Sequence, residues 1–212
     1  MGRGGPVAAT AALVLMGVFA LATPAVGQWA MLAQRSQGRA GAPLTVYEMS
    51  DFQCPYCREF ALETLPALVQ EYVTTGKIRF VFVNFPLTNA HPDALLAAEV
   101  GMCAATQGVF WRFHDLAFRH QHDWEDQIDP GPYLEGLADS AGARPTVLAR
   151  CVANGTMEAA VRADIAAATR VGVSTTPTFF LEGGLLEGAP PLAVFQQVLD
   201  SIYGAKVGRP PR

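Results

Sequence analysis

The chain has 212 residues, half of them hydrophobic and 16% charged, a balance that excludes a disordered chain or a coiled coil, both of which carry far more charge per apolar residue. Fifteen Lys and Arg against nineteen Asp and Glu leave a net charge of −4, so there is no electrostatic footprint for nucleic acid. The length suits one domain with a sizeable core, or one domain carrying an insertion, and four cysteines are too few for a disulfide scaffold.

In chain order, Arg3 precedes an uncharged apolar stretch over residues 7–22, followed by the small residues of 23–27. The positive start, apolar run and small-residue exit have the form of a cleavable secretory signal. Extended to Val26, the run also reaches the length of a retained membrane anchor, diluted by Thr10, Gly17, Thr23 and Pro24. Either reading of residues 1–27 sends the rest of the chain out of the cytoplasm, where disulfides persist. Residues 28–43 lack apolar periodicity and end in Gly, Ala and Pro, which predicts a linker.

Residues 44–49 (LTVYEM) predict a strand, and a turn at Ser50 and Asp51 leads to Cys54. Pro55 suits a first helical position, and Phe60, Leu62, Leu65, Leu68, Val69 and Tyr72 supply an apolar helical face up to Gly76. Residues 78–85 (IRFVFVNF) form an almost wholly apolar run, as in a strand covered on both faces. Strand, helix and strand imply a parallel pair with a right-handed crossover. From residue 92 to about 171 the chain is Ala-rich with helical spacing, broken into four or five helices. Strand character returns at residues 178–181, a Gly183-Gly184 turn predicts a hairpin, and residues 192–203 close as an amphipathic helix, leaving 204–212 as a tail. The layout is βαβ, a helical block over about 90–172, then ββα.

Chemistry is expected at Cys54-Pro55-Tyr56-Cys57, where two sulfurs flank the start of a helix that follows a strand. The unpaired N–H groups and positive dipole end of the helix favour a Cys54 thiolate, and Cys57 lies one turn on. A stabilised thiolate makes the corresponding disulfide the stronger oxidant. A structural zinc site needs two further ligands, yet Cys103 and Cys151 stand far apart in sequence and the four histidines are scattered. A Cys-x-x-Cys in a βαβ pattern favours redox work over zinc or a passive disulfide. No metal or organic cofactor is required.

Residues 51–57 (DFQCPYC), Gln107-Gly108-Val109-Phe110-Trp111 with His114-Asp115, and residues 172–180 (GVSTTPTFF) together resemble the DsbA-like thiol-disulfide oxidoreductases. The resemblance spans about residues 44–203 and implies a thioredoxin-like α/β fold interrupted by an all-helical insertion. The Pro55-Tyr56 dipeptide departs from the Pro-His of the best-known periplasmic oxidants. The resemblance further implies a cis Thr176-Pro177 bond in a loop facing Cys54, where the Thr176 backbone pairs with an extended substrate and Pro55 and Tyr56 border it. It matches Glu48 to a buried acid exchanging protons with Cys57; the residues alone equally allow an acid at a solvated strand end. Exported proteins with cysteine pairs are the implied substrates, and a quinone-linked membrane thiol oxidase of the DsbB or vitamin K epoxide reductase type is the implied partner.

Cys103 and Cys151 each share an apolar helical face with neighbours, so they form either a second disulfide or two separate buried thiols. An even cysteine count and an exported address favour the bridge, whose 49-residue loop corresponds to roughly 4 kcal/mol of chain entropy. Arg58 is either a thiolate-stabilising neighbour of Cys57 or an exposed helix side chain, and structural or solvent roles are expected for the histidines. The reading is an exported monomeric oxidoreductase that introduces disulfides, with a reductase or isomerase, and a non-catalytic chaperone or binding protein, as the alternatives.

Overall fold

The computed structural model describes residues 1–2 and 31–208; most of the segment read as a signal or anchor therefore lies outside the described residues. Five strands form one mixed sheet: β1 (Ser36–Gln37), β2 (Leu44–Ser50), β3 (Ile78–Asn84), β4 (Thr178–Leu181) and β5 (Gly184–Glu187), in the order β1-β3-β2-β4-β5. β2 is central, parallel to β3 and antiparallel to β4. A helical run, α1, joins β2 to β3, with α-helical Pro55–Glu59 and Leu65–Leu68 alternating with π-helical Phe60–Thr64 and Val69–Val73. The insertion contains α2 (Ala94–Ala105), α3 (Phe110–Arg119), α4 (Gln121–Trp124), α5 (Gly131–Ser140), α6 (Pro145–Ala153) and α7 (Glu158–Arg170), and α8 (Leu192–Val207) ends the described chain. The fold is thioredoxin-like with a helical insertion.

Strand alternation assigns each layer. Val46, Phe80, Phe179 and Leu181 face Phe60, Leu65 and Leu68 of α1 and Phe195 and Leu199 of α8. The intervening Met49, Val81 and Val83 face Ala168 of α7, with Leu32 and Ile165 packed alongside. The insertion joins the sheet through Phe52, whose ring lies 5.1 Å from those of Phe82 and Phe118 and 5.5 Å from Phe113. Gly101 allows this approach: a Cβ there would lie 3.1 Å from Phe113 and 3.2 Å from Phe52.

Four features differ from expectation. Residues 28–43 are not simply a linker, because residues 31–34 are helical, Ser36 and Gln37 pair with β3, and Arg35 is buried. Arg35 Nη1 donates to Asp164 Oδ2 at 2.6 Å and to the Phe82 carbonyl at 3.1 Å, while the Asn84 side-chain amide donates to the same Asp164 oxygen at 2.8 Å. The hairpin turns at Glu182-Gly183, both at positive φ, and Gly184 already belongs to β5; a two-residue turn of this kind matches the strand twist. Finally, α8 continues through residues 204–207 of the expected tail, and the helical block holds six segments, α4 being only four residues long.

The Arg35–Asp164 pair gives a direct stability test. Arg35→Ala leaves a buried carboxylate without its cation and is expected to cost about 3–5 kcal/mol in urea unfolding. A loss within experimental error would show that Asn84 alone satisfies Asp164.

Candidate active site

The turn after β2 is held by its own side chains. Asp51 Oδ1 accepts the Gln53 N–H at 2.8 Å, while Oδ2 accepts the Leu87 N–H at 2.8 Å and lies 2.7 Å from His91 Nδ1. The insertion holds the same turn from the other side: Gln121 Nε2 donates to the carbonyls of Phe52 at 2.7 Å and Cys54 at 3.1 Å, and Gln53 Oε1 accepts the Asp93 N–H at 2.8 Å. Cys54 thereby sits at the N-cap in extended conformation (φ −76°, ψ 124°), with Pro55 as the first helical residue.

The two sulfurs are free thiols in unequal surroundings. A hydrogen bond from the Cys57 S–H lowers the Cys54 pKa to about 6, against the opposing effect of burial; the Thr176 side chain and the Cys57 and Tyr56 backbone N–H groups add to the lowering. Cys57 is raised well above an ordinary thiol, first by burial and then by donating to Cys54 and by the negative charges of Cys54 and Glu48. The Asp51 N–H meets Cys57 Sγ at 3.5 Å. The pair is therefore asymmetric, with an ionisable sulfur at the helix start and a protonated one beneath it.

Glu48 is wholly buried. It pairs with Phe82 of β3 on one side and Phe179 of β4 on the other, so both flanks of the carboxyl are apolar and a solvated strand end does not describe it. Burial raises its pKa to about 8, opposed by Ser50 and reinforced by Cys54. Neither carboxyl oxygen has a hydrogen-bond partner.

The Thr176-Pro177 bond is cis. The Thr176 carbonyl accepts the Cys54 S–H at 3.5 Å, and the Pro177 carbonyl accepts the Gly188 N–H at 2.8 Å. Both residues are buried, whereas Pro55 is exposed and Tyr56 is 61% exposed beside the sulfurs. Cys54, Cys57, Glu48, Thr176 and Pro177 thus converge. Cys103 and Cys151 do not join them: they form a disulfide between α2 and α6, with Cα atoms 5.9 Å apart. Arg58 is partly buried, its Nε without a partner.

Sequence reasoning missed Gln121, Gln53 and the Asp51–His91 pair. Gln121 is fully buried, and an uncharged amide inside a helical block gives no signal of the carbonyls it will meet. His91 shows only its place before Pro92, with no sign that Asp51 is its neighbour. His114 is buried against Phe82, Phe118 and Trp111, with Nδ1 2.9 Å from Asp115, a packing position consistent with a structural role.

Residues 31–201 match the family model described as Thioredoxin. The Na(+)/H(+) antiporter NhaA 3 of Salinispora tropica is 32% identical over 184 residues, covering 82% of this chain and 25% of the antiporter; the chain spans about a quarter of the length of the first curated relatives it matches. Disulfide bond formation protein D of Bacillus subtilis is 24% identical over 162 residues, covering 76% of this chain and 73% of that protein. The crystal structure of oxidised BdbD from Bacillus subtilis superposes with a TM-score of 0.72 at 25% identity, covering 80% of this chain and 92% of that one.

Two measurements test the electrostatics of the site. In the reduced protein, alkylation of Cys54 by iodoacetamide is expected to rise with pH through a midpoint near 6, with Cys57 unmodified; a midpoint near 9 would contradict the asymmetric pair. The second concerns Glu48. Its folded pKa lies above its unfolded value, so its favourable contribution is complete below about pH 4.5 and is lost as pH rises towards 8. Glu48→Gln is therefore expected to gain stability over the native protein progressively across that window, by up to about 5 kcal/mol, in urea titrations of the reduced forms. A pH-independent difference would contradict the raised pKa.

Proposed function

The chain belongs to the thioredoxin family, with the helical insertion of its DsbA-like members, and from that premise we propose that it is an exported thiol-disulfide oxidoreductase that introduces disulfides into exported proteins. The observation that carries this reading is the contrast between Cys54, lowered to about 6, and the buried, protonated Cys57. Stabilising the Cys54 thiolate stabilises the reduced enzyme and makes the disulfide more oxidising.

A substrate thiolate attacks Cys54 Sγ of the Cys54-Cys57 disulfide. The S–S electron pair leaves on Cys57, which takes up a proton from Glu48. A second substrate thiolate then attacks the substrate sulfur of the mixed disulfide, Cys54 departs as a stabilised thiolate, and the substrate is left oxidised. Attack on Cys54 is favoured because Cys54 lies at the helix start, where N–H groups stabilise its later departure as a thiolate, while Cys57 is wholly covered. Pro55 and Tyr56 border the entry, and an extended substrate pairs with the Thr176 backbone beside Pro177. The enzyme leaves this cycle reduced, so a membrane thiol oxidase passing electrons to quinone, of the DsbB or vitamin K epoxide reductase type, is the proposed acceptor. An extracytoplasmic address follows from this chemistry and from the apolar N-terminal stretch; among the described residues no helix is long and apolar enough to cross a membrane.

The oxidised protein is expected to convert a dithiol peptide to its disulfide stoichiometrically, with a Cys54-Cys57 potential well above the roughly −270 mV of thioredoxin. Cys54→Ala abolishes the reaction, and Cys57→Ala, given the peptide in its disulfide form, accumulates a mixed disulfide through attack of Cys54 on the peptide S–S bond. A potential at or below that of thioredoxin would assign the reductive direction instead, and absence of exchange in the native protein would leave only a binding role.

A further inference from the structure

We propose that Ser50 is the relay by which the Glu48 proton reaches Cys57, its hydroxyl accepting from the carboxyl and donating to the departing sulfur. The inference rests on the assignment of Glu48 as the proton donor and adds the route, for which nothing else in the mechanism accounts.

Placement is the first argument. Glu48 and Ser50 are two apart on β2, so their side chains share one face, the face on which α1 packs. Both are buried, at 0% and 1% exposure. The Asp51 nitrogen that lies 3.5 Å from Cys57 Sγ is bonded directly to the Ser50 carbonyl carbon, so the Ser50 side chain leaves the backbone two bonds from a nitrogen already in contact with the sulfur. The Ser50 carbonyl accepts the Phe85 N–H at 2.8 Å, which fixes that backbone.

Unmet hydrogen bonding is the second argument. Ser50 Oγ, Glu48 Oε1 and Glu48 Oε2 are all enclosed and without a hydrogen-bond partner. A buried polar group left this way is destabilising, and three such atoms on one strand face call for an explanation. The Ser50 hydroxyl nevertheless acts on both neighbours, favouring the ionised forms of Glu48 and Cys57. A hydroxyl can accept and donate at once, which neither an apolar residue nor a second carboxylate offers here.

The step balances. As the Cys54-Cys57 bond breaks, its electron pair goes to Cys57 Sγ. The Ser50 proton moves to that sulfur and the Glu48 proton moves to Ser50 Oγ. The products are a Cys57 thiol, an unchanged serine and a Glu48 carboxylate, which later regains a proton from solvent.

The test is a double-mutant cycle on the rate at which dithiothreitol opens the Cys54-Cys57 disulfide between pH 6 and 7, where Glu48 holds its proton. Glu48→Gln is expected to slow the native protein about tenfold or more. Ser50→Ala, which removes an oxygen that makes no hydrogen bond, should fold normally and be slowed similarly, with Ser50→Thr restoring the rate. Adding Glu48→Gln to Ser50→Ala should cause no further loss, and replacing water by D2O should slow the native protein more than Ser50→Ala. Equal slowing by Glu48→Gln in both backgrounds would overturn the relay and leave Glu48 as the donor by another route. No slowing by Glu48→Gln in the native protein would overturn both assignments, and the reading of the chain as a thiol-disulfide oxidoreductase would stand on Cys54 and Cys57 alone.

Discussion

The inequality between the Cys54 and Cys57 sulfurs is the constraint on which the site's chemistry depends. It has a direction, and the direction must be imposed from outside, since two cysteines one helical turn apart are chemically identical. Burial imposes it: Cys57 faces inward from the first turn of α1 among apolar residues, where a charge is costly, while Cys54 sits at the helix start, where N–H groups favour one. Cys57 therefore keeps its proton and Cys54 loses it. Much of the surrounding architecture bears on this inequality, from the apolar neighbours of Cys57 to the paired Phe82 and Phe179 that enclose Glu48.

Maintaining a one-turn geometry at the end of a strand requires support from several directions. The insertion contributes through Gln121, whose amide reaches two carbonyls of the turn, and through the Phe52 cluster. The opposite loop contributes through His91 and the Leu87 N–H, both on Asp51. These contacts explain why a helical block interrupts the sheet where it does: it closes over the start of α1 and supplies groups that the strand-helix turn lacks. The cis-proline loop approaches from β4, so the sulfurs lie where three segments distant in sequence meet.

The parts legible in the sequence were those governed by local rules. Strand and helix periods located β2, α1 and β3, and the Cys-x-x-Cys between them located the chemistry. Long-range pairing was not legible. Arg35 stands in a polar stretch and becomes a core residue only because Asp164, 129 positions later, meets it. Glu48 read equally as buried or solvated because the outcome depends on β4 returning beside β2. The hairpin shifted by one residue because a Gly-Gly pair marks a turn without saying which glycine occupies it, and a glutamate at positive φ runs against local preference.

The disulfide between Cys103 and Cys151 has a consequence for selectivity. The same apolar cluster contains Cys54, Cys57 and Cys103, with Cys151 packed against it. In the reduced state, then, a low-pKa thiolate and an intact disulfide belong to one core, an arrangement that in solution would exchange partners. Exchange requires the attacking sulfur to approach in line with the S–S bond, and Cys103 is wholly covered, with Phe52, Phe110 and Phe113 in the same cluster. Close packing thus acts here as electrical insulation does in a circuit: it keeps a permanent crosslink from becoming a substrate of the exchangeable one that shares its core.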